Sequence, residues 1–104
     1  MKDQPKIAVL GGGSWATAIV KMLSENLTTV GWYMRSVYAS EHIKINKHNP
    51  NYLSSAELHP SQLDLSNDIN EVVSNYDILI FAIPSAFLTL ELEKLTESLE
   101  HKII

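Results

Sequence analysis

Two patterns of apolar residues alternate along the chain. Ile7-Ala8-Val9-Leu10 and Asp77-Ile78-Leu79-Ile80-Phe81-Ala82-Ile83 are nearly unbroken apolar runs. Runs without polar alternation predict strands covered on both faces, as in a parallel sheet. Thr28 to Met34 predicts another strand, since Thr29, Val30, Trp32 and Tyr33 suit a pleated surface. The intervening segments change period. From Ser14 to about Asn26, small and apolar residues recur at helical spacing: Ala16, Ile19, Val20 and Leu23. Ser36 to about Lys47 predicts a short helix capped by Ser36. His48 to Ser55 is a loop dense in Asn, Pro and Ser. Leu58 to Leu65 holds a short strand interrupted by Pro60. Asn67 or Asp68 then caps a helix whose apolar face is Ile69, Val72 and Val73. After Pro84-Ser85, Leu88, Leu92, Leu95 and Leu99 follow at offsets of four, three and four. That spacing predicts one continuous helical stripe, with the intervening Glu and Lys residues as a solvated outer face.

Strand alternating with helix predicts an α/β fold, here a Rossmann-type doubly wound parallel sheet ordered 3-2-1-4 with helices on both faces. Lys102-Ile103-Ile104 resembles the opening of a fifth strand, so the fold is expected to be incomplete at its C-terminus. Residues 1–104 form one domain, with no repeat, low-complexity segment or linker, and a longer enzyme is expected to contain it. Composition narrows the class. The chain is 45% hydrophobic and 19% charged, with a formal net charge of −4, as in a globular unit rather than a disordered tail. Mild acidity argues against a nucleic-acid partner. No apolar run reaches the ~20 residues of a membrane span, and Met1 to Lys6 has no signal-peptide core. The absence of cysteine allows a cytoplasmic protein, which is the expected compartment.

Chemistry enters where the first strand meets Gly11-Gly12-Gly13. Gly11, Gly13 and Ala16 fit the G-x-G-x-x-G/A pattern in its required context of strand, tight turn and helix. Gly11 supplies the torsions of the turn. Gly13 lacks the Cβ that would hold a pyrophosphate off the backbone, and Ala16 lets helix and strand approach. The helix would then aim its unpaired N–H groups at the phosphates. The competing phosphate loop, G-x-x-x-x-G-K-[ST], is absent. Dinucleotide binding is the working reading. At the end of the second strand, where an acidic residue would bond the ribose of NAD, the chain has Arg35 between Met34 and Ser36. A guanidinium there suits the 2′-phosphate of NADP, so the cofactor is NADP or NAD with NADPH favoured. A plain solvated arginine is the alternative.

The run from Ile7 to Ala18 resembles the amino-terminal fingerprint of bacterial NAD(P)-dependent glycerol-3-phosphate dehydrogenases. Gly31-Trp32-Tyr33-Met34-Arg35, Asn49-Pro50-Asn51-Tyr52-Leu53 and Asp77 to Ser85 resemble the same family at matching separations. The resemblance implies hydride transfer between a nicotinamide cofactor and the pair glycerol-3-phosphate and dihydroxyacetone phosphate. It implies cofactor contacts from Gly11, Gly12, Gly13, Ser14 and Trp15, from Arg35 at the adenosine end, from Tyr52, and from Pro84 and Ser85 near the nicotinamide. A phosphorylated triose is the implied partner, and a homodimer is compatible with it. Ala16 stands where many relatives have glycine. The family's catalytic lysines and helical substrate domain fall after Ile104, so no catalytic residue is assigned in this chain and Lys102 does not inherit that role.

Simpler readings exist for several residues. Trp15 could be a packed aromatic, Tyr52 a loop anchor and Ser85 a helix cap. His42, His48, His59 and His101 lack zinc-ligand spacing, so no metal site is expected. Glu91 and Glu93 do not share a helix face and so are not a general acid/base pair. Another 2-hydroxy-compound dehydrogenase, or a non-catalytic nucleotide-sensing module on the same fold, are the competing functions.

Overall fold

The computed structural model describes residues 5–50, 57–100 and 102–104. Four parallel strands form one sheet in the order β3-β2-β1-β4: β1 is Ile7–Leu10, β2 Val30–Tyr33, β3 Leu63–Ser66 and β4 Ile78–Phe81. The order is the one expected from the sequence. Ile103 forms a parallel bridge with Ile78, beside β4, where the fifth strand was expected to start. The helices are α1 (Ser14–Ser24), α2 (Val37–Asn46), α3 (Ile69–Asn75) and α4 (Ser85–Glu93). Pro60–Gln62 forms a single 3-10 turn before β3, which places the break foreseen at Pro60 just ahead of the strand.

Strand residues alternate between two cores. Val9, Val30, Trp32, Met34 and Ala82 face α1 and α2, packing with Ala16, Val20, Ala39 and Ile43. Ala8, Leu10, Tyr33 and Leu79 face the other way, onto Ile69, Val72, Val73 and Tyr76 of the α3 segment. Both faces are apolar because both are covered, which is why the strands carry no polar alternation. Gly31 is the thin point of the second face. A β-carbon there would lie 2.6 Å from the Tyr76 ring and 3.0 Å from the Ala8 Cβ. The Tyr76 hydroxyl continues past it to donate to Asp64 at 2.8 Å.

The caps follow the sequence. The Ser36 hydroxyl accepts from the Ala39 N–H at 3.0 Å, and the Asp68 carboxylate accepts from the Asn70 N–H at 3.0 Å. Asn67, the other candidate cap for α3, works elsewhere: its amide donates to the Met34 carbonyl at 2.9 Å.

The last helix departs from expectation. It ends at Glu93, so Leu95 and Leu99 do not extend a continuous stripe. The Asn70 side chain explains the ending. Its oxygen accepts from the N–H groups of Thr96 and Glu97 at 2.6 and 3.1 Å, and its nitrogen donates to the Lys94 carbonyl at 3.0 Å. These backbone groups leave the helical ladder, and Leu95 and Leu99 turn onto the α3 side of the core. Leu92, counted in the stripe, is exposed instead.

Nor is Glu91 on a solvated face. It is buried, its carboxylate accepting from the Tyr33 hydroxyl and, at 2.8 Å, from Lys94 Nζ. Burial alone pushes this carboxyl up. The hydrogen bonds from Lys94 and Tyr33, with the charges of Lys94 and Arg35, outweigh it and hold the group below its ordinary 4.5. The Tyr33 hydroxyl moves the other way, raised by burial first and then by its bond to Glu91.

Gly31→Ala should lower stability by about 1–3 kcal/mol, because the added methyl must displace an aromatic ring packed on a strand. Denaturant unfolding followed by circular dichroism measures it, and an unchanged midpoint would contradict the packing described. A second expectation concerns pH. A carboxyl held below its ordinary value stabilises above pH 4.5 and loses that contribution as pH falls through the lowered folded value. A raised tyrosine stabilises below pH 10.0 and loses its contribution as pH rises further. Thermal midpoints of the wild-type chain should therefore drop more steeply below about pH 4.5 than those of Glu91→Gln. Parallel acid limbs would remove Glu91 from the account.

Candidate functional site

The strand order creates the site. The chain runs from β1 outward to β3 and then crosses back to β4 on the other side of β1. A crevice opens outside the carboxyl ends of strands at such a reversal. Here it is a cleft of about 310 Å³ lined by Gly11, Gly12 and Gly13 after β1, by Tyr33, Met34, Arg35 and Ser36 at the end of β2, by Ala39 of α2, and by Ile83, Pro84, Phe87 and Glu91 after β4.

Gly11 is the residue on which the turn closes. Its φ is +136°, and a β-carbon would fall 2.2 Å from the Ala82 carbonyl oxygen. Its N–H is held by the Tyr33 carbonyl at 2.9 Å. Over Gly13 the space is open, with nothing within 4 Å of where a β-carbon would sit. That is the property a phosphate-approach position needs. Ala16, the third position of the fingerprint, is fully buried between α1 and the sheet.

Three side chains from three elements hold the carbonyls of this turn. The Trp32 indole donates to the Gly11 carbonyl at 2.6 Å. The Asn49 amide donates to the Gly12 carbonyl at 3.2 Å and to Thr17 Oγ1 at 3.0 Å. The Thr17 hydroxyl donates to the Gly13 carbonyl at 2.7 Å, where the Thr17 N–H also arrives at 3.0 Å. Asn49 is fully buried although it lies in a turn-rich loop.

At the other end of the cleft, Arg35 is exposed and its guanidinium carbon stands 5.8 Å from the centre of the Phe87 ring. Asn67 fixes the backbone on either side of Arg35, donating to the Met34 carbonyl at 2.9 Å and reaching the Ser36 carbonyl at 3.5 Å. The Glu91 carboxylate forms part of the same wall, bonded to Tyr33 and Lys94.

Of the residues singled out from sequence, Gly11, Gly12, Gly13, Arg35 and Pro84 line one cleft. Ser14 and Trp15 are the exposed first residues of α1, next to the lining rather than part of it. Trp15 is 68% exposed and packs into neither core of the described residues. Pro84 occupies the N-cap position of α4, with Ser85 one residue inside, so Ser85 does not cap that helix. Ser85 is exposed and outside the lining. Tyr52 lies outside the described residues. Phe87, Glu91 and Asn49 were missed. Phe87 and Glu91 are four apart, a spacing that brings two side chains to one helix face. Asn49 gave no local signal, because asparagine in a Pro- and Ser-rich loop reads as a turn former. Among the described residues, no group of three or more His, Cys, Asp or Glu is placed to hold a metal ion.

Comparison with known proteins agrees with this geometry. The family described as NAD-dependent glycerol-3-phosphate dehydrogenase N-terminus matches residues 6–104. A glycerol-3-phosphate dehydrogenase [NAD(P)+] of Pseudomonas fluorescens is 36% identical over all 104 residues, and the chain covers 30% of that protein. A solved glycerol-3-phosphate dehydrogenase from Saccharomyces cerevisiae superposes with a TM-score of 0.77 at 25% identity, over 98% of this chain and 31% of that one. A Plasmodium falciparum glycerol-3-phosphate dehydrogenase superposes with a TM-score of 0.75 at 25% identity, over 94% of this chain and 30% of that one. The chain thus spans about a third of the length of the proteins it matches. With nearly every residue inside the family match and the sheet, turn and cleft arranged as described, this chain belongs to the family of NAD-dependent glycerol-3-phosphate dehydrogenase N-terminal domains.

Proposed function

We propose that this chain binds NAD(P)H as the cofactor-holding part of an enzyme that interconverts glycerol-3-phosphate and dihydroxyacetone phosphate. The observation that carries the reading is a single cleft with a glycine turn, open over Gly13, at one end and Arg35 at the other. A dinucleotide needs both: N–H groups free of steric cover for its pyrophosphate, and a group at the second strand's end for its adenosine ribose. When bound, the cofactor supplies the hydride chemistry. This chain's residues bind and orient it. Ser14 and Trp15 lead the first helix beside the pyrophosphate, Arg35 pairs with a 2′-phosphate, and Phe87 offers a ring face near it. Pro84 and Ser85 start the segment nearest the nicotinamide, and Tyr52 contributes from its loop.

The substrate-holding and catalytic groups, with the triose phosphate itself, belong to the remaining length of the relatives. A cytoplasmic homodimer fits the reading, and no described helix is long and apolar enough to cross a membrane.

Arg35→Ala should weaken NADPH by about tenfold and NADH far less. The value sits at the low end for a charge-assisted bond because the side chain is exposed and screened. Fluorescence titration with both cofactors measures it, and equal losses would show that Arg35 does not read the 2′-phosphate. The 104-residue chain should also perturb NADPH fluorescence yet show no dihydroxyacetone phosphate-dependent NADPH oxidation, since positioning of the substrate supplies much of such a rate. Turnover by this chain, free of contaminating enzyme, would place the catalytic groups within it.

A further inference from the structure

We propose that Asn49 is a positioning residue for the cofactor's pyrophosphate, acting through the peptide between Gly12 and Gly13. The inference rests on the dinucleotide reading of the cleft. Every peptide bond in the described chain is trans, so the C=O and N–H of one peptide point to opposite sides. Asn49 draws the Gly12 carbonyl toward the buried side of the turn, at 3.2 Å, and the N–H of Gly13 must then face away from Asn49. Trp32 does the same for the Gly12 N–H through the Gly11 carbonyl, and Thr17 for the Ser14 N–H through the Gly13 carbonyl. The directions of three successive N–H groups, those of Gly12, Gly13 and Ser14, are thereby held in a turn whose open face lies over Gly13. Glycines would otherwise let these peptides rotate, because they populate both signs of φ at little cost.

Asn49 differs from the other two holders. Trp32 stands on a strand and Thr17 on the helix that the turn itself starts. Asn49 instead reaches in from the loop after α2, 37 residues from Gly12. Its path is set locally: Lys47 ends α2 in the left-handed region at φ 65°, and the Leu58 N–H closes the loop's base on the Lys47 carbonyl at 2.7 Å. Asn49 also bonds Thr17 Oγ1, so one amide nitrogen ties two of the three peptide supports together.

The test uses the full chain and three probes: NADPH, inorganic pyrophosphate, and adenosine, which lacks phosphate. Asn49→Leu keeps the side chain's approximate size and neutrality and removes the donor. It should weaken NADPH and pyrophosphate by about tenfold, the scale of one lost hydrogen bond, and leave adenosine binding unchanged. Thr17→Val should give the same ligand pattern with a smaller loss, since the Thr17 N–H still holds the Gly13 carbonyl. An equal loss for all three probes would assign Asn49 to general folding, and no loss would remove it from phosphate binding. Either outcome overturns the proposal. If Asn49→Leu does not fold, amide NMR of the wild-type chain decides: pyrophosphate should shift the Gly12, Gly13 and Ser14 signals, and unshifted signals refute the arrangement. Wild-type binding of pyrophosphate without either dinucleotide would sink the cofactor reading and leave the role of Asn49 intact.

Discussion

The tightest constraint in the site lies where the first turn passes the end of β4, the strand beside β1. A β-carbon on residue 11 would sit 2.2 Å from the Ala82 carbonyl oxygen, well inside contact distance. Only glycine fits, and the φ of +136° asks for glycine a second time. The contact exists because β1 and β4 are neighbours, with Leu10 beside Phe81 and the Ala82 N–H donating to the Leu10 carbonyl at 2.8 Å. The chain leaves β1 toward β2 while β4 departs from the same level. The first turn must therefore cross the exit of β4 at close quarters. The cleft is the space left between these two departures.

Polar side chains inside the molecule concentrate at that level. Among the described residues, Thr17, Ser40, Asn49, Ser66 and Glu91 are buried with hydrogen-bond partners at or near the strands' carboxyl ends. Buried Ser24 is the exception, donating to the Lys21 carbonyl in the last turn of α1. The sheet interior needs none of them, because its backbone is satisfied by the ladders. At the strand ends the chain becomes irregular and its N–H and C=O groups lose those partners, so side chains replace them. Asn67, although exposed, does the same at the end of β2, bonding the carbonyls that flank Arg35.

Short-range pattern carried the sheet and most of the helices. The unbroken apolar runs identified β1 and β4 as strands covered on both faces, although β4 ends the described sheet with only the Ile103 bridge beyond it. Ser36 and Asp68 marked helix starts through the side-chain oxygens that caps require. What the pattern misjudged depended on distant partners. Leucine spacing predicted a helix through Leu99, but Asn70 on α3 captures the backbone after Lys94 and ends it at Glu93. Glu91 looked solvated because glutamate among leucines on a surface helix usually is. Its partner Tyr33 lies 58 residues away on β2, where no periodicity could connect them. The same holds for Asn49. The glycine turn was legible because glycine, unlike asparagine, reports its own backbone requirement.

The charges around the cleft show how such a site can receive a polyanion in an acidic chain. Net charge is −4, and among the described residues lining the cleft Arg35 is the one cation and Glu91 the one carboxylate. Lys94, the nearest lysine to Glu91, is engaged with it at 2.8 Å. Charged side chains of the lining therefore nearly cancel, and the glycine end of the cleft contains none of them. Attraction for phosphate at that end has to come from oriented N–H groups and from the positive end of α1. Such dipoles are short-ranged and directional, so their effect depends on the peptides being held in one orientation. That dependence is why a turn of three glycines, the most pliable backbone available, is backed by an indole, an amide and a hydroxyl on consecutive carbonyls.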